Sequence, residues 1–491
     1  MEAAQKIKEN RPVRVRMAPS PTGALHIGTA RMTLFDFLFA RHMGGTFILR
    51  IEDTDPERSK TEHEIGLIEG LQWLGIDWDE GPTYENGKLG SRGNFGPYRD
   101  SERVLSHKKY IQKFLEEGKA YQCYCTKEEL EARREESESR SVPFRYPGTC
   151  RNLTAPPASK TPQTIRLKMP NETITFDDMV RGKVSVEPTS LDDFAIARAD
   201  GSPLYNFAVA IDDYEMEITH VIRGEDHISN TPKQIAVYRA LGVEPPIFGH
   251  TPLILNLDRS KMSKRTGDTA LADYREKGYL PEAIVNFLAL MGWHPTDDQE
   301  ILTLDELIIK FDIARVQKAG AVFDQAKLDW LNREYIKKMD VETLTHLVAP
   351  FLKAAGIEAP NMLIEKVVAA GQSRATTLED FAEQGSFFFK LPEYEAELLV
   401  WKNMERVTVS PMLQAIETEF STLSGDDFVK ERLSSALEKL SLGRKKGEVF
   451  WPLRVALSGL AASPDPVEIM TVIGKEETIK RIKIAIKKIS Q

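Results

Sequence analysis

Apolar positions in the first part of the chain switch between two spacings. Residues 12–18 (Pro-Val-Arg-Val-Arg-Met-Ala) alternate, which predicts a strand. Pro19-Ser-Pro-Thr-Gly23 is turn chemistry. Residues 26–43 place Leu34, Phe35, Leu38 and Phe39 at helical spacing. Thr46–Ile51 predicts a second strand, and 61–74 a second helix carrying Ile65, Ile68, Leu71 and Leu74. This β-α-β-α order points to a parallel sheet with crossover helices. The pattern breaks after Gly81. Glycine-rich loops from Gly87 to Gly96 lead to a predicted helix over 101–117. The charged run Lys127–Arg140 reads as a solvated helix face or loop, and Thr154–Pro162 as a linker. Strand-like pieces follow at Thr164–Met169, Glu172–Phe176 and Lys183–Val186. Parallel strands are expected again at Tyr205–Asp212 and Ile218–Arg223. From about residue 280 onward the pattern is helical, with no strand expected. The last segment puts Ile479, Ile482, Ile486 and Ile489 on one face and lysines opposite, an amphipathic helix.

Length changes this picture into several domains, since 491 residues exceed one ordinary core and suggest about three or four. The apolar share of 41% and charged share of 28% are those of a water-soluble globular chain. Met1–Pro12 is polar and lacks the apolar stretch of a secretion signal. No apolar run reaches the roughly 18 residues of a membrane span. The expectation is a cytoplasmic protein with no membrane partner. A net charge of −9 argues against indiscriminate nucleic-acid binding, while a local basic face stays compatible with RNA. Lys475–Gln491 alone holds six basic and two acidic residues.

Two short motifs carry candidate chemistry. Ala18-Pro-Ser-Pro-Thr-Gly-Ala-Leu-His-Ile-Gly-Thr29 follows the first strand and opens the first helix. Gly23 and Gly28 allow backbone to approach a phosphate chain, and a helix N-terminus favours anionic oxygens. His26 sits at the same place. Lys261-Met-Ser-Lys-Arg265 follows the apolar stretch Pro252–Leu257, and two lysines three apart can grip phosphate oxygens from a loop. The motifs lie about 235 residues apart. No Gly-Lys-Ser/Thr phosphate loop and no Gly-x-Gly-x-x-Gly fingerprint competes with them.

Together these residues resemble the His-Ile-Gly-His and Lys-Met-Ser-Lys-Ser motifs of class I aminoacyl-tRNA synthetases. Thr29 stands where many have a second histidine, and Arg265 where many have serine. Both departures, with Pro-Ser-Pro-Thr-Gly, Ile51-Glu-Asp-Thr-Asp55 and Val221-Ile-Arg-Gly-Glu-Asp226, are similar to the glutamyl group. The resemblance implies an α/β protein: a Rossmann-type parallel-sheet catalytic domain with an α+β insertion, followed by an all-α anticodon-binding half. The corresponding stretches are 12–96 and 206–258 for the catalytic halves, 97–205 for the insertion, 259–338 for a stem-contact domain with the Lys-Met-Ser-Lys loop, and 339–491 for the anticodon domain.

The activity implied is ATP- and Mg2+-dependent activation of glutamate, then transfer to the terminal adenosine of tRNA-Glu. An enzyme that also glutamylates tRNA-Gln is the alternative. His26, Lys261 and Lys264 are the implied catalytic residues, and Pro19, Gly23, His26, Gly28, Thr29, Lys261, Ser263 and Lys264 the ATP site. Arg16 and Arg223 would hold the side-chain carboxylate of glutamate, for which a guanidinium fork is suited. Glu52 would hold the ammonium with Ser20 and the backbone at Ala18, and Tyr205 would offer a hydroxyl. Where some relatives have an asparagine four residues beyond that tyrosine, this chain has Val209. Asp55-Pro56 reads as a helix cap. Arg374 aligns with an arginine that in some relatives checks an anticodon base, and a monomer is expected.

All three cysteines fall between residues 123 and 150, too few for a disulfide framework but close enough for metal. Zinc takes four thiolate or imidazole ligands in a tetrahedron. Related synthetases carry Cys-x-Cys…Cys-x-His here, but this chain has Asn152 at the last position. That leaves Cys123, Cys125 and Cys150, with Tyr146 as the candidate fourth ligand of one structural zinc. Reduced, half-buried cysteines are the plainer alternative. A glutaminyl-tRNA synthetase would carry β-barrel anticodon domains, which the helical second half does not suggest. A small nucleotidyltransferase would not need this length. An RNA-binding regulator without catalysis fits poorly with intact His26, Lys261 and Lys264.

Overall fold

The computed structural model describes residues 11–54, 58–262 and 270–491. Expectations placed on Met1–Asn10, on Asp55 and Pro56, and on Ser263, Lys264 and Arg265 lie outside the described residues. The chain divides into two compact units. One comprises 1–275 and 281–328, the other 276–280 and 329–491.

The first unit is built on a six-stranded sheet. Its strands are β1 (Arg14–Met17), β2 (Thr46–Leu49), β7 (Ile174–Asp178), β8 (Gly182–Val186), β10 (His220–Gly224) and β11 (Ile247–Thr251). Their order is β2-β1-β10-β11-β7-β8. All neighbours run parallel except the β7–β8 hairpin at one edge. Chain connection runs outward from β1 to β2 on one side and from β10 to β11 on the other. The seam between β1 and β10 is therefore a switch point, where open parallel sheets leave a crevice at their carboxyl ends. Helix α1 (Ile27–His42) crosses from β1 to β2. It buries residues around nearly its whole circumference, because helices Pro281–Leu290 and Leu304–Lys310 cover the side away from the sheet.

Several sequence expectations are corrected here. Tyr205–Asp212 is not a strand but the start of helix α5 (Tyr205–Glu215). Phe207 through Asp213 are all buried, so the apolar run carries no period that separates a buried helix from a buried strand. The glycine-rich loop after Gly81 contains a hairpin, β3 (Gly81–Glu85) with β4 (Lys88–Arg92), turning at Asn86-Gly87 with φ of 51° and 75°. An Asn-Gly pair supplies the two positive φ values that a tight hairpin requires. Residues 174–186, within the stretch expected as an insertion, pair into the main sheet through β7 and β8. The separate part of that stretch is a three-stranded antiparallel sheet of β5 (Ala120–Cys123), β6 (Thr164–Leu167) and β9 (Ala195–Arg198). One two-residue strand, Ala321–Val322, occurs beyond residue 280, paired with Ile254–Leu255. The charged run forms helix Lys127–Ser139 with no buried side chain, started by a Thr126–Glu129 capping box.

The second unit is helical. Its last helix, Pro466–Ile489, breaks at Gly474 (φ 77°), and beyond the break Ile482, Ala485 and Ile489 face the core while Lys480, Lys483 and Lys487 face out. Arg481 is buried in the same helix. It donates to the carbonyls of Phe387, Phe388 and Leu457 at 2.6–3.1 Å. These lie at helix C-termini, where carbonyls lack intrahelical donors and a cation is favoured.

Candidate active site

The carboxyl ends of β1, β2, β10 and β11 open onto a cleft of about 450 Å³. Its lining brings together Arg16, Ala18, Ser20, His26, Gly28, Thr29, Glu52, Tyr205, Arg223 and Lys261. Pro19 and Gly23 do not line it. Pro19 is buried, and its carbonyl accepts the N–H of Glu52 at 3.0 Å.

His26 caps helix α1. Its Nδ1 accepts the Gly28 N–H at 2.9 Å. A backbone N–H can only donate, so Nδ1 carries the lone pair and the ring proton sits on Nε2. A Cβ at Gly28 would lie 3.1 Å from that Nδ1, so glycine keeps the cap uncrowded. The second motif reaches the same place from both flanks. Lys261 and Met262 line the cleft, and Ala270 forms a β-bridge with His26. Lys261 lies 3.5 Å from Asp226, a carboxylate that also lines the cleft.

The floor is a buried charge network. Arg16 spans both oxygens of Asp213 through Nε (3.0 Å) and Nη2 (3.2 Å). Arg50, fully buried at the end of β2, donates to the same Asp213 at 2.7 Å and lies 3.4 Å from Glu52. One carboxylate therefore fixes two arginines from neighbouring strands. Burial raises the Asp213 pKa, but Arg16 and Arg50 outweigh it and hold the group below the usual carboxylate range. Glu52 goes the other way, since burial lifts its carboxyl above the usual range against the pull of Arg50 and Arg16.

Arg223 closes the other side. Its Nε donates to His250 Nε2 at 3.2 Å, and its Nη2 to Thr231 Oγ1 at 2.8 Å. Nη1 is buried with no hydrogen-bond partner among the described residues, and no carboxylate pairs with the side chain there. Burial pushes its pKa down to about 10. A guanidinium with two donors engaged along one edge keeps a second edge, Nη1 with Nη2, for a bidentate acid. Tyr205 sits at the start of α5, its hydroxyl 3.1 Å from His227 Nδ1. Burial and the Arg223 charge push the His227 pKa down to about 4. Beside Tyr205, Asn206 accepts from Gln234, while Val209 is buried in the core.

The chain matches the family described as "tRNA synthetases class I (E and Q), catalytic domain" over residues 12–330, and an "Anticodon binding domain" over 343–486. It is 45% identical to glutamate–tRNA ligase 1 of Caldanaerobacter subterraneus subsp. tengcongensis, across 98% of each chain. The chain belongs to the glutamate–tRNA ligases. The glutamate–tRNA ligase of Carboxydothermus hydrogenoformans is also 45% identical, over 96% of this chain and 99% of that one. A crystal structure of the Elizabethkingia meningosepticum glutamate–tRNA ligase, in complex with its amino acid, superposes with a TM-score of 0.86 at 37% identity, covering 97% and 99% of the two chains. No helix among the described residues of this ligase is long and apolar enough to cross a membrane.

Several residues in and beneath this ligase's cleft were missed by sequence reading. Asp213 and His250 carry no motif, and only strand register and helix packing bring them to Arg16 and Arg223. Arg31 is another. It is buried beside the cleft, bonds the Pro252 carbonyl at 2.8 Å, and has its pKa lowered to about 10 by burial. Its place four residues into a helix after His-Ile-Gly-Thr was the available signal.

Two further expectations lie outside the cleft. The Sγ atoms of Cys123, Cys125 and Cys150 fall within 4.8 Å of one another. Tyr146 Oη lies 3.4 Å from Cys123 Sγ and 3.9 Å from Cys125 Sγ, and accepts the Cys150 N–H at 2.9 Å. Asn152 is exposed. Arg374, in the second unit, pairs with Glu468 and bonds the Ala370 carbonyl at 2.7 Å. It borders a hollow walled by Phe381, Phe387 and Phe388.

Proposed function

We propose that this ligase works through the β1–β10 cleft, with Arg16 and Arg223 receiving the side-chain carboxylate of glutamate and the phosphates of ATP lying along His26, Gly28 and Thr29. The single observation that supports this most is Arg223, a buried cation in the cleft lining whose Nη1 has no hydrogen-bond partner among the described residues. Neutral glutamine would leave that edge without a charged partner, which is how a site built to bond one group rejects its analogue. The ammonium goes to Glu52, with Ser20 and the Ala18 backbone beside it, and its charge would pull the lifted carboxyl pKa back down. Tyr205 supplies a hydroxyl at the edge. Pro19 and Gly23 act by shaping the turn rather than by touching substrate.

In the first step an α-carboxylate oxygen of glutamate attacks the α-phosphorus of ATP and the bond to pyrophosphate breaks. A carboxylate is already a nucleophile at neutral pH, so positioning and charge stabilisation do the catalysis. His26 donates from Nε2 toward the phosphates. Lys261, Ser263 and Lys264 stabilise departing pyrophosphate. Asp226, beside Lys261 in the cleft lining, would hold the Mg2+ that accompanies ATP, which would supply charge neutralisation there. In the second step a ribose hydroxyl of the terminal adenosine attacks the glutamyl carbonyl and AMP leaves. Residues 259–338 would meet the acceptor stem and 339–491 the anticodon, with Arg374 favouring tRNA-Glu. In this reading the enzyme is a cytoplasmic monomer.

Charging purified tRNA-Glu and tRNA-Gln separately with labelled glutamate tests the substrate. Label on tRNA-Glu alone is expected, and equal label on both would replace this reading with the broader one. Lys264→Ala is expected to lower aminoacylation by roughly 10²–10³-fold, as loss of one transition-state donor does. Filter binding of tRNA should stay within experimental error, and unchanged kcat would remove Lys264 from this role.

The cysteine cluster fits a structural zinc. A tetrahedron with bonds of roughly 2.3 Å has edges near 3.8 Å, and Cys125 and Cys150 Sγ stand 3.8 Å apart. Tyr146 Oη, 3.4 Å from Cys123 Sγ and 3.9 Å from Cys125 Sγ, would be the fourth ligand, so that Cys123, Cys125, Tyr146 and Cys150 would hold the ion. Elemental analysis should find about one zinc per chain, and Cys125→Ser should release it. Zinc-free active protein would retire the site.

A further inference from the structure

Arg223 is useful to glutamate only if its open edge faces the cleft, and something must choose which edge that is. The strand register begins the answer. In the β10–β11 pair Arg223 is the direct partner of His250, and in the β11–β7 pair Phe248 faces Asp178. Phe248 and His250 share one face of β11, so Asp178, His250 and Arg223 form a diagonal row across three adjacent strands. His250 is fully buried and Asp178 nearly so. His250 Nδ1 is 2.5 Å from Asp178 Oδ2, and its Nε2 is 3.2 Å from Arg223 Nε.

The chemistry of the row leaves one protonation pattern. A guanidinium N–H can donate but never accept. Nε2 of His250 must then offer its lone pair, so the ring proton sits on Nδ1 and goes to Asp178. Asp178 is locked in turn. Its Oδ1 accepts the backbone N–H groups of Val180, Arg181 and His250 at 2.8–3.1 Å. Thr231 Oγ1 completes the arrangement, 3.0 Å from His250 Nε2 and bonded to Arg223 Nη2. The Nε–Nη2 edge of Arg223 is thus consumed by protein, and of the end edge Nη1, itself buried, has no partner among the described residues.

We propose that Asp178 and His250 form a positioning pair for glutamate recognition: Asp178 fixes the His250 tautomer, and His250 holds the side edge of Arg223 so that its end edge meets the amino-acid carboxylate. This rests on the reading of Arg223 as a glutamate ligand. Neither residue touches substrate. Burial and the Arg223 charge keep the His250 imidazole below its ordinary pKa against the pull of Asp178, in keeping with a neutral ring.

Asp178→Asn is the sharpest variant. An amide can satisfy the three backbone N–H groups only through its oxygen, which turns its NH2 toward Nδ1. The ring then has to carry its proton on Nε2, N–H against N–H with Arg223. The expected result is a glutamate KM raised roughly 10- to 100-fold, the effect of one lost bond to a charged group, with the ATP KM unchanged. His250→Gln, which keeps an acceptor close to Nε2, should lose less than Asp178→Asn. Nitrogen NMR of 15N-histidine-labelled wild-type enzyme should show His250 Nε2 unprotonated, and that readout needs no variant to fold. A protonated Nε2 overturns the proposal. So does a folded Asp178→Asn enzyme whose glutamate KM is unchanged, or whose ATP and glutamate KM values rise alike. Arg223→Lys separates the two layers. If it leaves the glutamate KM alone, the reading of Arg223 fails. If it raises the KM and Asp178→Asn does not, only the positioning pair fails.

Discussion

Arg223→Ala lowers kcat/KM for glutamate by roughly 10²–10³-fold, equivalent to about 3–4 kcal/mol, the range for truncating one side of a buried charge pair. The site geometry also says what should not change. Arg223 pairs with no carboxylate among the described residues, and burial, with the Arg16 charge, lowers its pKa to about 10. An unpaired buried cation contributes little to folding and can oppose it. Thr231 Oγ1 remains 3.0 Å from His250 Nε2 and can supply the lost donor. The Tm of Arg223→Met, which keeps most of the volume without the charge, should equal or exceed that of the parent. Pyrophosphate exchange with glutamate and ATP varied separately checks the first part, and calorimetry the second. An effect confined to ATP would move Arg223 out of the amino-acid pocket.

Asp213→Ala has the opposite signature, a stability loss of about 3–5 kcal/mol, because it strands buried Arg16 and leaves buried Arg50 only the longer contacts to Glu52 and Asp100. Arg16 and Arg50 both bond this carboxylate, and neither is exposed enough for water to replace it. The loss depends on pH in a defined sense. The folded-state pKa of Asp213 lies below its ordinary value of 3.8. Its contribution is therefore fully present above that ordinary value and disappears as pH falls through the lower folded value. The gap between parent and Asp213→Ala should be widest at neutral pH and shrink below pH 3.8. Urea unfolding followed by tryptophan fluorescence at both ends of that range measures it. A neutral-pH difference under about 1 kcal/mol would show that the arginines find other partners.

Local patterns in the chain revealed what local patterns can. Strand β1, helix α1 and β2 follow from alternation and helical spacing over residues 12–51, and His26 and Gly28 from their place at a helix start. The cysteine triad follows from clustering in sequence. Tyr205–Glu215 was misread because a helix buried on all sides loses its period. The 81–92 hairpin was passed over although Asn86-Gly87 announces it, since its strands carry few apolar residues to mark a face. The charged floor was illegible for a different reason. Asp213 is one of 74 acidic residues, and nothing near it in sequence says that it meets Arg16 and Arg50. His250 and Asp178 gain their meaning only from the register of three strands.

The seam where Val15 pairs with His220 joins stretches of chain about 200 residues apart. Arg16 and Arg223 stand on its two sides. During synthesis, then, the earlier arginine waits on a strand with one neighbour until the ribosome has delivered the later one. A growing chain halted before β10 holds half a binding pocket, however well its first strands have formed. Closing so long a loop is slow compared with local helix formation, so the ability to hold glutamate arises late, as a property of a nearly complete catalytic unit.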